Sequence, residues 1–127
     1  MDKKLQDLRK NTSKAEDFFT HIMAYTLGPM EVKEMLEEEN VVLLDVRDKE
    51  AYDESHSPQA ISIPRSELDD RLVEMAKDNL HIVYCYNQQC HLGACACRLL
   101  ASKGYPCMLM EGGFQSWSED FRFATIK

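Results

Sequence analysis

A chain of 127 residues, 44% apolar and 29% charged, is long enough for one domain with a packed core and too short for two ordinary ones. Its formal net charge of -7, without a basic cluster, argues against nucleic acid and anionic membrane surfaces as partners. Its five cysteines are odd in number and all lie in the C-terminal third, which argues against a secreted disulfide scaffold and for a reducing, cytoplasmic setting with a functional thiol.

The stretch Met1 to Gln6 carries cations but no apolar run, so no secretory signal is expected, and no window reaches the length of a membrane span. Residues 1–12 are polar and are expected to fray. Thr12 or Ser13 can cap a helix, with Glu16 three residues after Ser13 as in a capping box. Phe18, Ile22 and Tyr25 then share one face of a helix over about residues 14–26, which Gly28-Pro29 ends. That face is expected to pack on its own domain. A homodimer contact through it stays open.

Residues 30–39 read as a second helix with Val32, Met35 and Leu36 as its buried stripe. Val41-Val42-Leu43-Leu44-Asp45 is a continuous apolar run of the kind found in strands buried on both faces of a parallel sheet. A short helical patch reaches Glu54, and Ala60 to Pro64 forms a second strand that proline stops. Arg65 to Met75 is expected to be helical, with Ser66 as a cap and Leu68, Leu72 and Met75 on one face. His81 to Tyr84 is a third strand, a helix follows the next loop to about Lys103, and Gly104 caps it. Pro106 to Met110 is a fourth strand, and Gln115 to Asp120 is a last helical piece carrying Trp117. Strands alternating with helices imply an α/β domain with a mainly parallel sheet.

The chemistry concentrates in Cys85-Tyr86-Asn87-Gln88-Gln89-Cys90-His91. Strand, polar loop, helix places Cys85 at the carboxyl end of a strand, facing a helix N-terminus. Unpaired N–H groups and the helix dipole there are expected to favour its thiolate. Cys90, five positions on, reads either as a resolving thiol for Cys85 or as a small residue at the helix start. Cys95, Cys97 and Cys107 read as packing residues, since no C-x₂-C spacing supports zinc and Cys95 and Cys97 stand about 200° apart on a helix. Neither metal nor cofactor is expected. His56 reads as a residue that ties its loop down, and Asp45 with Arg47 as an internal ion pair.

Four separated pieces carry a family resemblance. They are Leu44-Asp45-Val46-Arg47, the run Glu50-Ala51-Tyr52-Asp53-Glu54-Ser55-His56-Ser57-Pro58-Gln59-Ala60-Ile61-Ser62-Ile63-Pro64, then Ile82-Val83-Tyr84-Cys85, and Met110-Glu111-Gly112-Gly113-Phe114-Gln115-Ser116-Trp117. In this order, from about Gly28 to Trp117, the chain resembles the single-domain rhodanese (sulfurtransferase) module. The resemblance implies a mostly parallel sheet of about five strands flanked by helices over residues 28–127, preceded by an extra N-terminal tail and amphipathic helix over residues 1–27. It also implies that Cys85 carries a persulfide sulfur from a donor to a nucleophilic acceptor, wrapped by the backbone of Tyr86, Asn87, Gln88, Gln89, Cys90 and His91. Ser55 and Gln59 depart from the glycines common in the family. Phosphatases of this fold hold phosphate with an arginine six positions after the cysteine; that position here is His91, and the loop has no Arg or Lys. A neutral loop on an acidic chain suits a persulfide, on a small thiol or a protein, better than the thiosulfate dianion. The alternative function is a non-enzymatic rhodanese-like module that senses redox state or binds a partner through Cys85 and Cys90.

Overall fold

Two apolar runs, too hydrophobic for a half-exposed strand, form the centre of the sheet. The computed structural model describes residues 2–127. Strands β2 (Val41–Asp45) and β4 (Leu80–Tyr84) pair in parallel over their full length. Around them the sheet runs β1-β5-β4-β2-β3, with β1 (Thr26–Leu27), β3 (Ala60–Ser62) and β5 (Cys107–Met110), and every pairing is parallel.

The helices are α1 (Lys3–Arg9), α2 (Thr12–Tyr25), α3 (Pro29–Met35), α4 (Lys49–Glu54), α5 (Leu68–Arg71), α6 (Leu92–Ser102) and α7 (Gly113–Gln115). Alternation along the strands divides the core into two layers. Leu44, Val83 and Cys85 point to the layer of Leu68, Ala96 and Leu100 from α5 and α6. Leu43, Ile82 and Tyr84 point to the opposite layer with Val32 of α3 and Trp117. Helix α6 ends as expected on Gly104, at φ 86°, whose N–H donates to Ala101 O while that of Tyr105 donates to Leu100 O. This pair of bonds satisfies the last carbonyls of the helix.

Several sequence expectations are corrected. Of the stretch expected to fray, Met1 lies outside the described residues and Lys3–Arg9 is helical, capped by the Asp2 carboxylate, which accepts from Lys4 N–H at 2.7 Å. The cap of α2 is Asn11, through Lys14 N–H at 3.1 Å, not Thr12 or Ser13. Thr26 and Leu27 form an edge strand too short for any periodicity to show. Helix α3 stops at Met35 rather than Glu39, and the acids that follow lie where a helix dipole would oppose them. The stretch from Arg65 to Met75 is not one helix: 3₁₀ turns at Arg65–Glu67 and Leu72–Glu74 flank α5, and Ser66 caps nothing. The last helical piece is α7 followed by a π turn at Ser116–Asp120. The largest correction concerns α2. It buries no residue, and Phe18, Phe19, Ile22 and Tyr25 are all exposed, so the domain leaves most of the helix's apolar face uncovered and meets it only near its C-terminal end.

Candidate functional site

Parity along β4 decides where the thiol points. Val83 faces α6 and Tyr84 faces away, so Cys85, one residue past the strand, faces α6 again. Its side chain is 3% exposed. The first turn of α6 closes over it at Gly93, where a Cβ would stand 3.3 Å from Cys85 Sγ and 2.7 Å from Leu109 Cδ1. A side chain at this position would press on the sulfur and push the end of Leu109 aside.

The loop folds back on the thiol. Cys90 N–H donates to Asn87 O at 3.2 Å, and Gln89 N–H to the Asn87 side-chain oxygen at 3.1 Å. The Cys85 thiol donates to Cys90 O at 3.4 Å and lies 3.9 Å from Asn87 O. Tyr86, Asn87 and Cys90 are half-buried, whereas Gln88, Gln89 and His91 are exposed. Tyr86 points to the other layer, where its hydroxyl accepts from Asp48 N–H at 3.2 Å. His91 precedes α6 without capping it and shares a shallow surface groove with Ala94, Cys95 and Arg98.

A second segment, distant in sequence, holds the loop's shape. Phe114 N–H donates to Cys85 O at 2.8 Å, Gln115 N–H to Tyr86 O at 3.0 Å, and Gly112 N–H to the Gln88 side-chain oxygen at 2.6 Å. Gly113 makes this possible: at φ 61° it lies so close that a Cβ would sit 2.6 Å from Asn87 N and 2.7 Å from Cys85 O. The N-terminal amides of α7 thus fasten the carbonyls that leave β4.

Beneath the loop, Arg47 and Asp45 form a buried ion pair at 2.8 Å, and Arg47 also donates to Ser55 O at 2.7 Å. Its guanidinium lies 4.1 Å from the Phe114 ring centre and within 6 Å of those of Tyr84 and Tyr86. Burial penalises that charge, yet the hydrogen bond and charge of Asp45 more than restore it, so Arg47 titrates above its ordinary value. The pair braces the loop from below, at the Tyr86 ring. His56 stacks on Tyr52, with Nδ1 2.7 Å from Tyr52 O, and its backbone bridges to Ile126, so it ties down the C-terminal tail.

The sequence expectation of a readily ionised thiol is corrected. Burial pushes the Cys85 thiol above its ordinary value; backbone hydrogen bonds at Gly93 and Asn87 pull it down, and the adjacent Cys90 thiol pushes it up again. Desolvation outweighs the helix terminus. All five cysteines are free, but they are not scattered: Cys90 hydrogen-bonds with Cys85, and Cys107 donates to Cys97 O at 3.3 Å. Among the described residues no group of three or more His, Cys, Asp and Glu is arranged to hold a metal ion, and no helix is long and apolar enough to cross a membrane.

Gly93, Gly112, Gly113 and Leu109 were not singled out as site residues by sequence reasoning. Gly112-Gly113 stood in one of the quoted motifs, but nothing in a linear reading places it on the Cys85 loop.

Comparison with known proteins bears on this geometry. The profile of the Rhodanese-like domain matches residues 28–120. The thiosulfate sulfurtransferase GlpE of Pseudomonas syringae is 28% identical over 100 residues, 78% of this chain and 92% of its own. The HTH-type transcriptional regulator Rv0324 of Mycobacterium tuberculosis is 36% identical over 77 residues; the match takes in 61% of this chain but only 34% of the regulator. A crystal structure of a Bacillus halodurans protein superposes with a TM-score of 0.84 at 26% identity, covering 91% of this chain and 86% of that one. A Lactobacillus plantarum structure shares the fold at a TM-score of 0.78 and 22% identity, covering 92% of this chain and 99% of its own.

Proposed function

This chain belongs to the rhodanese-like domain family, and on that premise we propose that it is a sulfurtransferase carrying sulfane sulfur as a persulfide on Cys85. The observation that carries this reading is the seat of the thiol: at the end of β4, against the first turn of α6, inside a loop fastened from α7. Such a seat offers a terminal sulfur backbone amides and a helix N-terminus, and sulfur transfer between thiols needs no separate general base. The likeness to GlpE supports the same class.

The donor is a persulfide on a small thiol or a protein. Tyr86, Asn87, Gln88, Gln89, Cys90 and His91 bring no fixed cation to the sulfur, and the chain is acidic, so a dianionic donor finds little to hold it. The site works in a reducing, cytoplasmic setting, where all five thiols stay free.

Intact-protein mass spectrometry tests the reading. After glutathione persulfide treatment the chain gains one sulfur, and Cys85→Ser abolishes the gain. No gain on the unaltered chain sinks the proposal. Turnover of thiosulfate with a low KM overturns the donor class alone.

A second reading rests on the contact between Cys90 and Cys85 and on the regulator among the relatives. It is a non-enzymatic module in which mild oxidant closes a Cys85–Cys90 disulfide. Loss of two hydrogens under oxidant, with no sulfur gained from any donor, favours it.

A further inference from the structure

Carrying sulfur takes one thiol, and this site holds two. The turn at Asn87 to Cys90 bends the loop back, so that the main chain of Cys90 accepts from Cys85 Sγ at 3.4 Å. The Cys90 side chain packs, half-buried, against the core layer that contains Cys85. Its neighbours Gln88 and Gln89 are exposed, the Gln88 side chain reaching out to Gly112 N–H. Of the remaining cysteines, Cys97 borders the same layer but its carbonyl accepts from the Cys107 thiol at 3.3 Å between α6 and β5, and Cys95 lines the outer groove of α6.

We propose that Cys90 is the internal acceptor of the loaded site, discharging the Cys85 persulfide as hydrogen sulfide. The inference rests on the sulfurtransferase reading above. The Cys90 sulfur attacks Cys85 Sγ, the inner sulfur of the persulfide. A Cys85–Cys90 disulfide bond forms as the bond from Sγ to the outer sulfur breaks. The outer sulfur leaves as hydrosulfide and takes the proton that Cys90 gave up, so one hydrogen sulfide departs per disulfide closed. The sulfane sulfur is reduced and the two cysteines are oxidised, with no outside oxidant. Hydrosulfide is a weaker base than an alkyl thiolate and therefore the better leaving group. An external dithiol then reduces the disulfide by thiol exchange and returns both cysteines. The site thus takes a persulfide and a dithiol as its two substrates and yields sulfide.

The contact geometry makes the step local. A reacting pair held side by side gains the advantage of an intramolecular reaction. The loop needs no large movement, because the Cys90 main chain already lies 3.4 Å from the sulfur under attack.

The test uses the full chain under oxygen-free conditions, loaded with glutathione persulfide and desalted. Intact mass and trapped sulfide are followed over time. The gain of one sulfur is expected first. Its loss follows, with release of one sulfide per chain and a final mass two hydrogens below the reduced protein. In Cys90→Ser and Cys90→Ala the added sulfur persists about tenfold longer or more, and no disulfide mass develops. Equal persistence in all three proteins overturns the inference and leaves the sulfurtransferase reading standing. Failure of the unaltered chain to gain sulfur overturns both. Sulfide release from either variant at the unaltered rate also overturns it, since release then runs through another thiol.

Discussion

Helix α2 and strand β4 are both rich in large apolar side chains, yet they end in opposite environments. From Leu80 to Tyr84 all but the first residue are buried, whereas α1 and α2 together bury none. Phe18 and Phe19, each 58% exposed, pack edge-to-face on one another rather than on the sheet. The contrast separates pattern from burial. An amphipathic stripe states that a helix could cover something, and only the strands and their crossovers decide what is covered. A 14-residue helix is marginal in water by itself. The stability of this chain therefore resides in the two layers over the sheet, and so does the positioning of Cys85.

Four measurements break or sharpen that contrast. Leu100→Ala empties a fully buried position between α6 and the sheet and should cost about 2–5 kcal/mol in urea denaturation. A cost below about 1 kcal/mol would mean that the layer does not carry the stability assigned to it. Gly113→Ala places a Cβ against Asn87 N and Cys85 O at a left-handed φ of 61°, so the loop must shift. Its stability should drop by about 1–2 kcal/mol, and its sulfur loading by roughly tenfold or more. Loading at the normal rate would show that the fastening from α7 is dispensable.

His81 gives a pH signature of the buried sheet. Its Nδ1 faces Pro106 O at 3.0 Å and carries the proton, while Nε2 has no partner among the described residues. Burial holds its pKa below the ordinary value. Above the unfolded value of about 6.5 both states are neutral and stability is unaffected. As pH falls from there towards the folded pKa, the unfolded chain binds a proton the folded chain refuses, and stability is lost. Thermal melts between about pH 7 and 5.5 should show a slope that His81→Phe flattens. An unchanged slope assigns it to other groups. The smallest effect belongs to the arm: Phe19→Ser should move stability by less than about 0.5 kcal/mol, read by the same denaturation. A loss of about 2 kcal/mol would show that α2 rests on a surface after all.

The central strands and α6 were legible because burial on both faces leaves a continuous apolar run, and because Gly104 marks a helix end in one residue. Strand β1 was not, since two residues carry no period. The cysteine was legible from its place between strand and helix. Its acidity was misjudged: the dipole argument adds the favourable field of α6 but omits the cost of a 3% exposed sulfur. The role of Gly112 and Gly113 was hidden for a different reason. Their contacts run to residues about 25 positions away, and no local rule of turn chemistry reports the partner of a turn. Cys90 was visible as a neighbour in sequence, but its approach to Cys85 depended on the turn at Asn87.

The strand order bears on how the protein is made. Strand β1, near the start of the chain, pairs only with β5, near its end. The amides that fasten the Cys85 loop come later still, from residues 112–115. A chain emerging from the ribosome can pair β2, β3 and β4, but β1 has no partner, and the thiol no finished seat, until the last strand is out. Translation therefore delivers the cysteine well before the fold that disciplines it, and a transcript cut short before residue 112 yields a thiol in an unfastened loop.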